Sequence, residues 1–448
     1  MTPTSISPTE SSPNLAALTR DAGIALVLQI AGLALTYLLQ ISLARWMGST
    51  EYGIYKYVIS WSWLLAIPAG LGFPHTVLRL VSEYRVQQNW GLLRGLVRGS
   101  WLLTVLAGSL LCLGGTIVIL AIDRYYQFAY VTPLLIGIWM VLLRALVELQ
   151  LETSRALEDI TLAYAPYQVI WPVLVLCGGF VLFEYNHSLT SEPAIAMAIL
   201  MLLGVVMFQL WLLWERLNQQ VEKVTPVYAY REWFSISLPL LLQGAFAVLL
   251  FQTDVVIIGL LLGPEEAGIY TAATSTAIWV TFFLQVINTV AAPAFASLNV
   301  QNDRQGLQTV VSTTATWIFW PSVAIALILI IFSQPILGVF GSEFIAANLE
   351  LKVIVIGELV SALCGSVGYI LVMTGHQNKS AKVFAYTALI NLVLNPIAII
   401  TFGILGAAIT TALTTILWNI WLSILVFKYV EVNPFVFHRL FSSKENSV

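Results

Sequence analysis

Four ionisable residues lie deep inside apolar stretches of the chain: Arg144 and Glu148, one helical turn apart, and Asp254 and Glu358. Leaving any of them against hydrocarbon costs at least about 2.5 kcal/mol, so each needs a polar partner or a water-filled cavity. A buried guanidinium in such a cavity holds an anion, and a carboxylate holds a cation or accepts hydrogen bonds from hydroxyls. Arg144 and Glu148 equally fit a mutually neutralising pair near one membrane surface. Asp254 and Glu358 sit eight residues inside the nearer end of their apolar blocks, roughly 12 Å of helix rise. That is too deep for a short carboxylate to reach the interface, so a polar cavity or helix contact is expected. Arg45 and Lys56 are closer to an interface, where long side chains can snorkel. The amides Gln29, Gln40, Gln285, Asn288, Asn391 and Asn395 also fall in apolar blocks and must find partners, and Gln243 and Gln252, close to Asp254, are the cavity candidates among them. Trp63, Trp139, Trp171 and Trp279 are too deep to be interfacial anchors, and core packing is their expected role.

The chain contains no P-loop, HExxH, CxxC pair or Ser-His-Asp arrangement, and its four histidines are scattered. Cys112, Cys177 and Cys364 lie within apolar runs without ligand-like spacing and are expected as buried free thiols. No enzymatic activity, metal or cofactor is expected, and ATP hydrolysis by this chain is excluded from the reading.

What must position these groups is a membrane-embedded helical scaffold. Of 448 residues, 59% are hydrophobic and 10% charged, against about 25% charged in soluble domains. No basic face suited to nucleic acid is visible. Apolar blocks of helix-spanning length number twelve, at 24–44, 53–73, 99–121, 128–150, 161–183, 193–214, 235–262, 269–298, 310–332, 350–373, 381–402 and 406–427. Fifteen Lys and Arg fall in the tails and the connections of one side and four (Arg45, Lys56, Arg124, Lys352) on the other. By the positive-inside rule both termini are cytoplasmic. Residues 1–19, rich in Ser, Thr and Pro, read as a disordered cytoplasmic tail, residues 429–448 as a second tail, and 215–234, the most polar interior stretch, as a cytoplasmic linker. Residues 75–98 read as a helix lying in the interface. Its Gly91, Gly95 and Gly99 are either a helix-packing ridge or a loosened connector.

The turn LARWMGSTEYGIY at 43–55 has an echo in GLLLGPEEAGIY at 259–270, with Gly48/Gly263, Glu51/Glu266, Gly53/Gly268, Ile54/Ile269 and Tyr55/Tyr270 all 215 residues apart. Six spans separate the copies, an even number, so both turns lie on one side and the halves are parallel repeats. Two six-helix lobes follow, at 20–214 and 235–428. The glutamate is expected to cap its own helix, and the second glycine to admit a close helix approach.

The stretch LARWMGSTEYGIYKYVISWSWLLAIPAGLGFPHTVLRLVSEYR resembles the opening repeat of the polysaccharide transporter, or oligosaccharide flippase, branch of the multidrug/oligosaccharidyl-lipid/polysaccharide exporter superfamily. IIGLLLGPEEAGIYTAA, MTGHQNKSAK and NLVLNPIAIITFGILGAAITTAL extend the resemblance through the second half, whereas TSRALEDITLAYA is a poor copy of TGHQNKSAKVFAY. The resemblance implies an all-α polytopic membrane protein of twelve transmembrane helices, two parallel six-helix lobes in a V. It implies carriage of a polyprenyl-diphosphate-linked glycan from the cytoplasmic to the outer leaflet of the plasma (inner) membrane. Membrane lipids, and a glycan polymerase or glycosyltransferases, would be its partners. In that setting Arg144, helped by Lys56 and Arg45, would meet the diphosphate, and Asp254 and Glu358 the sugar or a coupling cation. An ion-coupled multidrug exporter of the same superfamily is the alternative. A membrane glycosyltransferase or polymer ligase fits less well, because the connections on the charge-poor side are short.

Overall fold

The computed structural model describes residues 15–126 and 130–436. Among them there is no strand. The first half comprises α1 (Leu15–Gly70), α2 (Phe73–Val86), α3 (Trp90–Tyr126), α4 (Val131–Gly137), α5 (Met140–Ala156), α6 (Ile160–Ala165), α7 (Trp171–Asn186) and α8 (Ser191–Gln220). The second comprises α9 (Tyr230–Leu261), α10 (Pro264–Ala277), α11 (Phe282–Val300), α12 (Arg304–Ile331), α13 (Ser333–Gly338), α14 (Asn348–Cys364), α15 (Val367–Met373), α16 (Gln377–Phe402) and α17 (Ile404–Val430). Nine helical stretches are long and apolar enough to cross a membrane, and two bent pairs make eleven. The first stretch holds two spans joined at Gly48, whose φ of 76° breaks the helix, so the described chain has twelve. Of the expected cytoplasmic tails, residues 1–14 and 437–448 lie outside the described residues.

The outward surface is hydrocarbon-like. On α3, Leu106, Leu110, Leu113 and Ile117 recur at helical spacing and are 50–70% exposed, an arrangement that only lipid would cover. Of the three cysteines, Cys112 and Cys364 are buried as expected. Cys177 is exposed on α7, because that position of the helix faces outward.

Packing separates the two ends of the bundle. At the end carrying the Gly48 and Gly263 turns, one hydrophobic core runs through both halves and joins Leu43, Tyr52 and Val58 to Tyr270, Phe340 and Phe344. At the opposite, linker end there are two cores. One, around Phe73, Leu93 and Trp233, belongs mainly to the first lobe, and the other, around Phe295, Val367 and Val426, belongs to the second. The lobes therefore merge at the turn end and diverge toward the linker end, which gives the V.

The repeated turn explains the merger. Gly48 and Gly263 both have positive φ (76° and 104°), a conformation that L side chains adopt at a cost. A Cβ on Gly53 would overlap the Pro264 carbonyl, and one on Gly268 would strike the Ser49 carbonyl and Gly53 itself. The two copies are thus seated on each other, and their glycines are the contact. The Ser49 amide donates to Glu343 at 2.8 Å, and Arg45 Nε donates to the Val339 carbonyl at 2.6 Å. Glu51 does not cap its own helix. Its carboxylate accepts from the amide of Ser191 at 2.7 Å and so caps α8.

Residues 75–98 do not form one interfacial helix. They are divided between α2, which buries Val77, Leu80, Val81 and Tyr84, and the start of α3. The glycine ridge of α3 receives the irregular linker segment in place of a helix. The Val227 amide donates to the Gly91 carbonyl at 2.9 Å, and a Cβ on Gly95 would collide with the Val227 carbonyl. Arg94, buried, donates to the carbonyls of Val221 and Glu222, tying the linker to α3.

Candidate functional site

Between the lobes lies a cavity of about 620 Å³. One wall is the first arm of α1, with Leu33, Tyr37 and Gln40, and the rest is built by helices of the second lobe. Asp254, Glu358 and Gln252, three of the residues singled out in the sequence, line it, and so do Gln285 and Asn288.

Asp254 is 4% exposed, and its carboxylate is fully engaged. Tyr270 donates to it at 2.9 Å, and the Thr411 hydroxyl and the Asn395 amide donate to it as well. Three donors converging on one carboxylate suit its ionised form, which has only acceptor sites. Tyr270 is the last residue of the repeated turn motif. Its counterpart Tyr55 is buried in the other lobe. Glu358, half-buried on α14, neighbours the Thr281 hydroxyl. Just beyond it the α14–α15 pair bends by 42° at Gly365, whose φ is 66°. Gly365 and Ser366 line the cavity at that break.

Arg144 occupies a different place. It is 3% exposed on α5 and stands over the rings of Trp63, Tyr167 and Trp171, at 4.2, 5.2 and 5.6 Å from their centroids. It donates to the Tyr167 hydroxyl. Tyr167 belongs to a π turn, Pro166–Ile170, and stacks on Trp171 with centroids 5.3 Å apart. Such turns often mark functional positions in helices. Arg144 Nε is buried without a partner. Among the described residues no ion pair within 4 Å joins Arg144 to Glu148, and the acidic partner of Arg155 is Glu152, at 2.9 Å. The guanidinium is stabilised by aromatic faces, each contributing about 0.5–2 kcal/mol.

Lys56 is not on the cavity wall. Its ammonium donates to Gln40 Oε1 at 3.4 Å, an oxygen that also accepts from Ser275 across the lobes. Arg45 is exposed at the turn end. Gln243 is on α9, and its side chain lies outside the described residues. The structure thus brings Asp254, Glu358 and Gln252 together, sets Lys56 one residue behind the wall, and keeps Arg144 and Arg45 apart from them. Sequence reading passed over Ser366, Trp418 and Thr411, which also line the cavity. Polar residues of these types are common in membrane helices, and nothing local distinguishes them.

A family model described as polysaccharide biosynthesis protein matches residues 18–299. The chain belongs to this polysaccharide biosynthesis protein family. A second model, MatE, matches residues 239–397, the part that holds Asp254 and Glu358. The probable low-salt glycan biosynthesis flippase Agl15 of Haloferax volcanii is 25% identical over 399 residues, covering 87% of this chain and 79% of that protein. Among solved structures, an inward-facing multidrug resistance MATE family transporter of the MOP superfamily superposes with a TM-score of 0.73 at 12% identity, over 92% of this chain and 99% of that one. The lipid II flippase MurJ in an inward closed conformation superposes with a TM-score of 0.70 at 15% identity, over 92% and 88%. At such identities the structural likeness fixes the fold alone. The fold of this family member is therefore the twelve-helix, two-lobed transporter architecture.

Proposed function

We propose that the protein flips lipid-linked oligosaccharide or polysaccharide repeat units from the cytoplasmic to the outer leaflet of the plasma membrane by alternating access, and is not an enzyme. The observation that carries this reading is a cavity of about 620 Å³ that holds acidic and amide side chains, set between two lobes that merge at one end and diverge at the other, in a member of a polysaccharide biosynthesis family. The flippase named among the relatives supports it. In this reading residues 20–214 and 235–428 are the moving lobes, 215–234 is a cytoplasmic linker, and both termini are cytoplasmic. In this orientation the lobes diverge toward the cytoplasm, where the lipid-linked glycan is loaded. Arg144, with Lys56 and Arg45 as the cavity opens outward, serves the diphosphate, while Asp254, Glu358, Gln243 and Gln252 serve the sugar or a coupling cation. A glycan polymerase or glycosyltransferases act before and after it. An inside-negative potential favours outward movement of an anionic headgroup by about 2.3 kcal/mol per charge per 100 mV, so export can proceed without a nucleotide.

The MatE match over the acidic half favours a second reading, an ion-coupled exporter of cationic drugs. Protein reconstituted in vesicles separates the two. The flippase reading expects a polyprenyl-diphosphate saccharide to become protected from an impermeant sugar oxidant much faster than in empty vesicles. Movement of a lipophilic cation under an ion gradient, with none of the saccharide, would establish the exporter in its place.

A further inference from the structure

The ionisable side chains lining the cavity are acidic. Asp254 and Glu358 contribute two carboxylates, and no Lys, Arg or His is among the residues lining it. Tyr270, Asn395 and Thr411 all donate to Asp254, which makes its carboxyl oxygens acceptors. Lys56, behind the wall, donates to the side-chain oxygen of Gln40. Independently of the carboxylates, three buried polar atoms on this wall have no partner: Asn288 Oδ1, Ser366 Oγ and Trp418 Nε1. Asn288 and Ser366 are each 4% exposed. An acceptor, a hydroxyl and a donor without partners on residues that line one cavity match a ligand whose groups both donate and accept, as sugar hydroxyls do, because leaving such atoms unpaired is costly. Trp418, edge-on to Phe384 with centroids 4.6 Å apart, adds an apolar face of the kind against which the C–H side of a sugar ring packs. The volume of about 620 Å³ falls in the range of small-molecule sites.

From this placement we infer that the second-lobe cavity is the sugar subsite and that it admits neutral or amino-bearing sugars while excluding sugars that carry a carboxylate or sulfate. The inference rests on the flippase reading and specifies its substrate. An acidic sugar in this cavity would face two carboxylates with no countercharge on the wall, and like-charge juxtaposition in a poorly screened site discriminates strongly. The diphosphate is excluded from the subsite for the same reason, which separates the two ends of one substrate between unlike lobes.

The test compares two conjugates on the same short polyprenyl diphosphate, a neutral N-acetylhexosamine disaccharide and its analogue ending in glucuronate, in vesicles containing the full chain. The neutral conjugate is expected to cross at least about tenfold faster, a difference of about 1.4 kcal/mol. Gln285→Lys, at an exposed lining position, places a cation in the subsite and is expected to narrow that ratio. Glu358→Gln, which removes one anion, should narrow it too. Equal rates in the unmodified protein, or a faster glucuronate conjugate, would overturn the subsite and leave the flippase standing. If neither conjugate crossed faster than in empty vesicles, the flippase reading itself would fall and the subsite with it.

Discussion

At the scale of single residues, the two buried charges are handled by opposite means. Asp254 is held by three hydrogen-bond donors, whereas Arg144 has one hydroxyl and three aromatic faces, with Nε left open. A cation caged by rings keeps more of its charge available than one in an ion pair, which suits transient contact with an anion. Arg144→Gln is therefore expected to lower saccharide transport by at least about tenfold, the effect of one charge-assisted contact of roughly 1.5–3 kcal/mol, with normal abundance in the membrane. Arg144→Lys, which keeps the charge but not the planar stacking surface, should fall between the two. Full transport by the glutamine variant would reduce Arg144 to a packing residue. For Asp254→Asn the amide presents its own donors to groups that are already donors. The loss is about 1–3 kcal/mol for an orphaned buried group, to be read as a lower melting temperature in detergent. If that single change also removed transport and its dependence on a sodium or proton gradient, the ion-coupled reading would gain over potential-driven export.

At the scale of elements, the spans were legible because hydropathy is a local property, and the twelve apolar blocks reappear as helices or as bent helix pairs. The echo of the turn was legible too, but its purpose was not. Sequence places Gly53 and Gly268 in separate halves, and only folding sets them against each other. Long-range pairings hide for the same reason. Asp254 finds donors 141 and 157 residues away, and Gln40 meets Ser275 at a separation of 235. The glycines of α3 looked like a helix-packing ridge because small residues admit any close backbone, and an irregular linker segment satisfies that pattern as well as a helix does. The seated turns make a testable gate. Gly268→Val adds bulk where a single Cβ already meets the Ser49 carbonyl, so the turn end cannot close. Spin labels on exposed Thr50 and Leu349 should then report a longer distance, and transport should fall. Conversely, Ser49→Cys with Glu343→Cys puts thiols on two residues that a hydrogen bond from the Ser49 amide to the Glu343 carboxylate now holds together. Oxidation should lock the turn end shut and stop transport, and reduction should restore it. Undiminished transport by the oxidised protein would show that the turn end never opens.

At the scale of the whole molecule, the V has a direction that the fold does not state but the charges do. Fifteen of the twenty Lys and Arg fall in the tails and the connections of the linker end, and only Arg45, Lys56, Arg124 and Lys352 near the turn end, with Arg144 inside a span. Basic residues are retained on the cytoplasmic side during insertion, and the bias counts when it lies in short connections close to the spans, as it does here. In the proposed orientation the linker end is cytoplasmic, and the shared core of the turn end closes the outer side. Two single-cysteine proteins check this in whole cells. One carries the cysteine at exposed Thr225 in the linker and the other at exposed Thr50 beside the turn, with Cys112, Cys177 and Cys364 replaced by serine. An impermeant thiol reagent should label the Thr50 position in intact cells and the Thr225 position only after permeabilisation. The opposite pattern would invert the molecule, so that its lobes diverge toward the outside and the loading step proposed above occurs on the wrong leaflet. Labelling of both in intact cells would remove the linker from the cytoplasm and break the parallel-repeat topology, since six spans must separate two turns on one side.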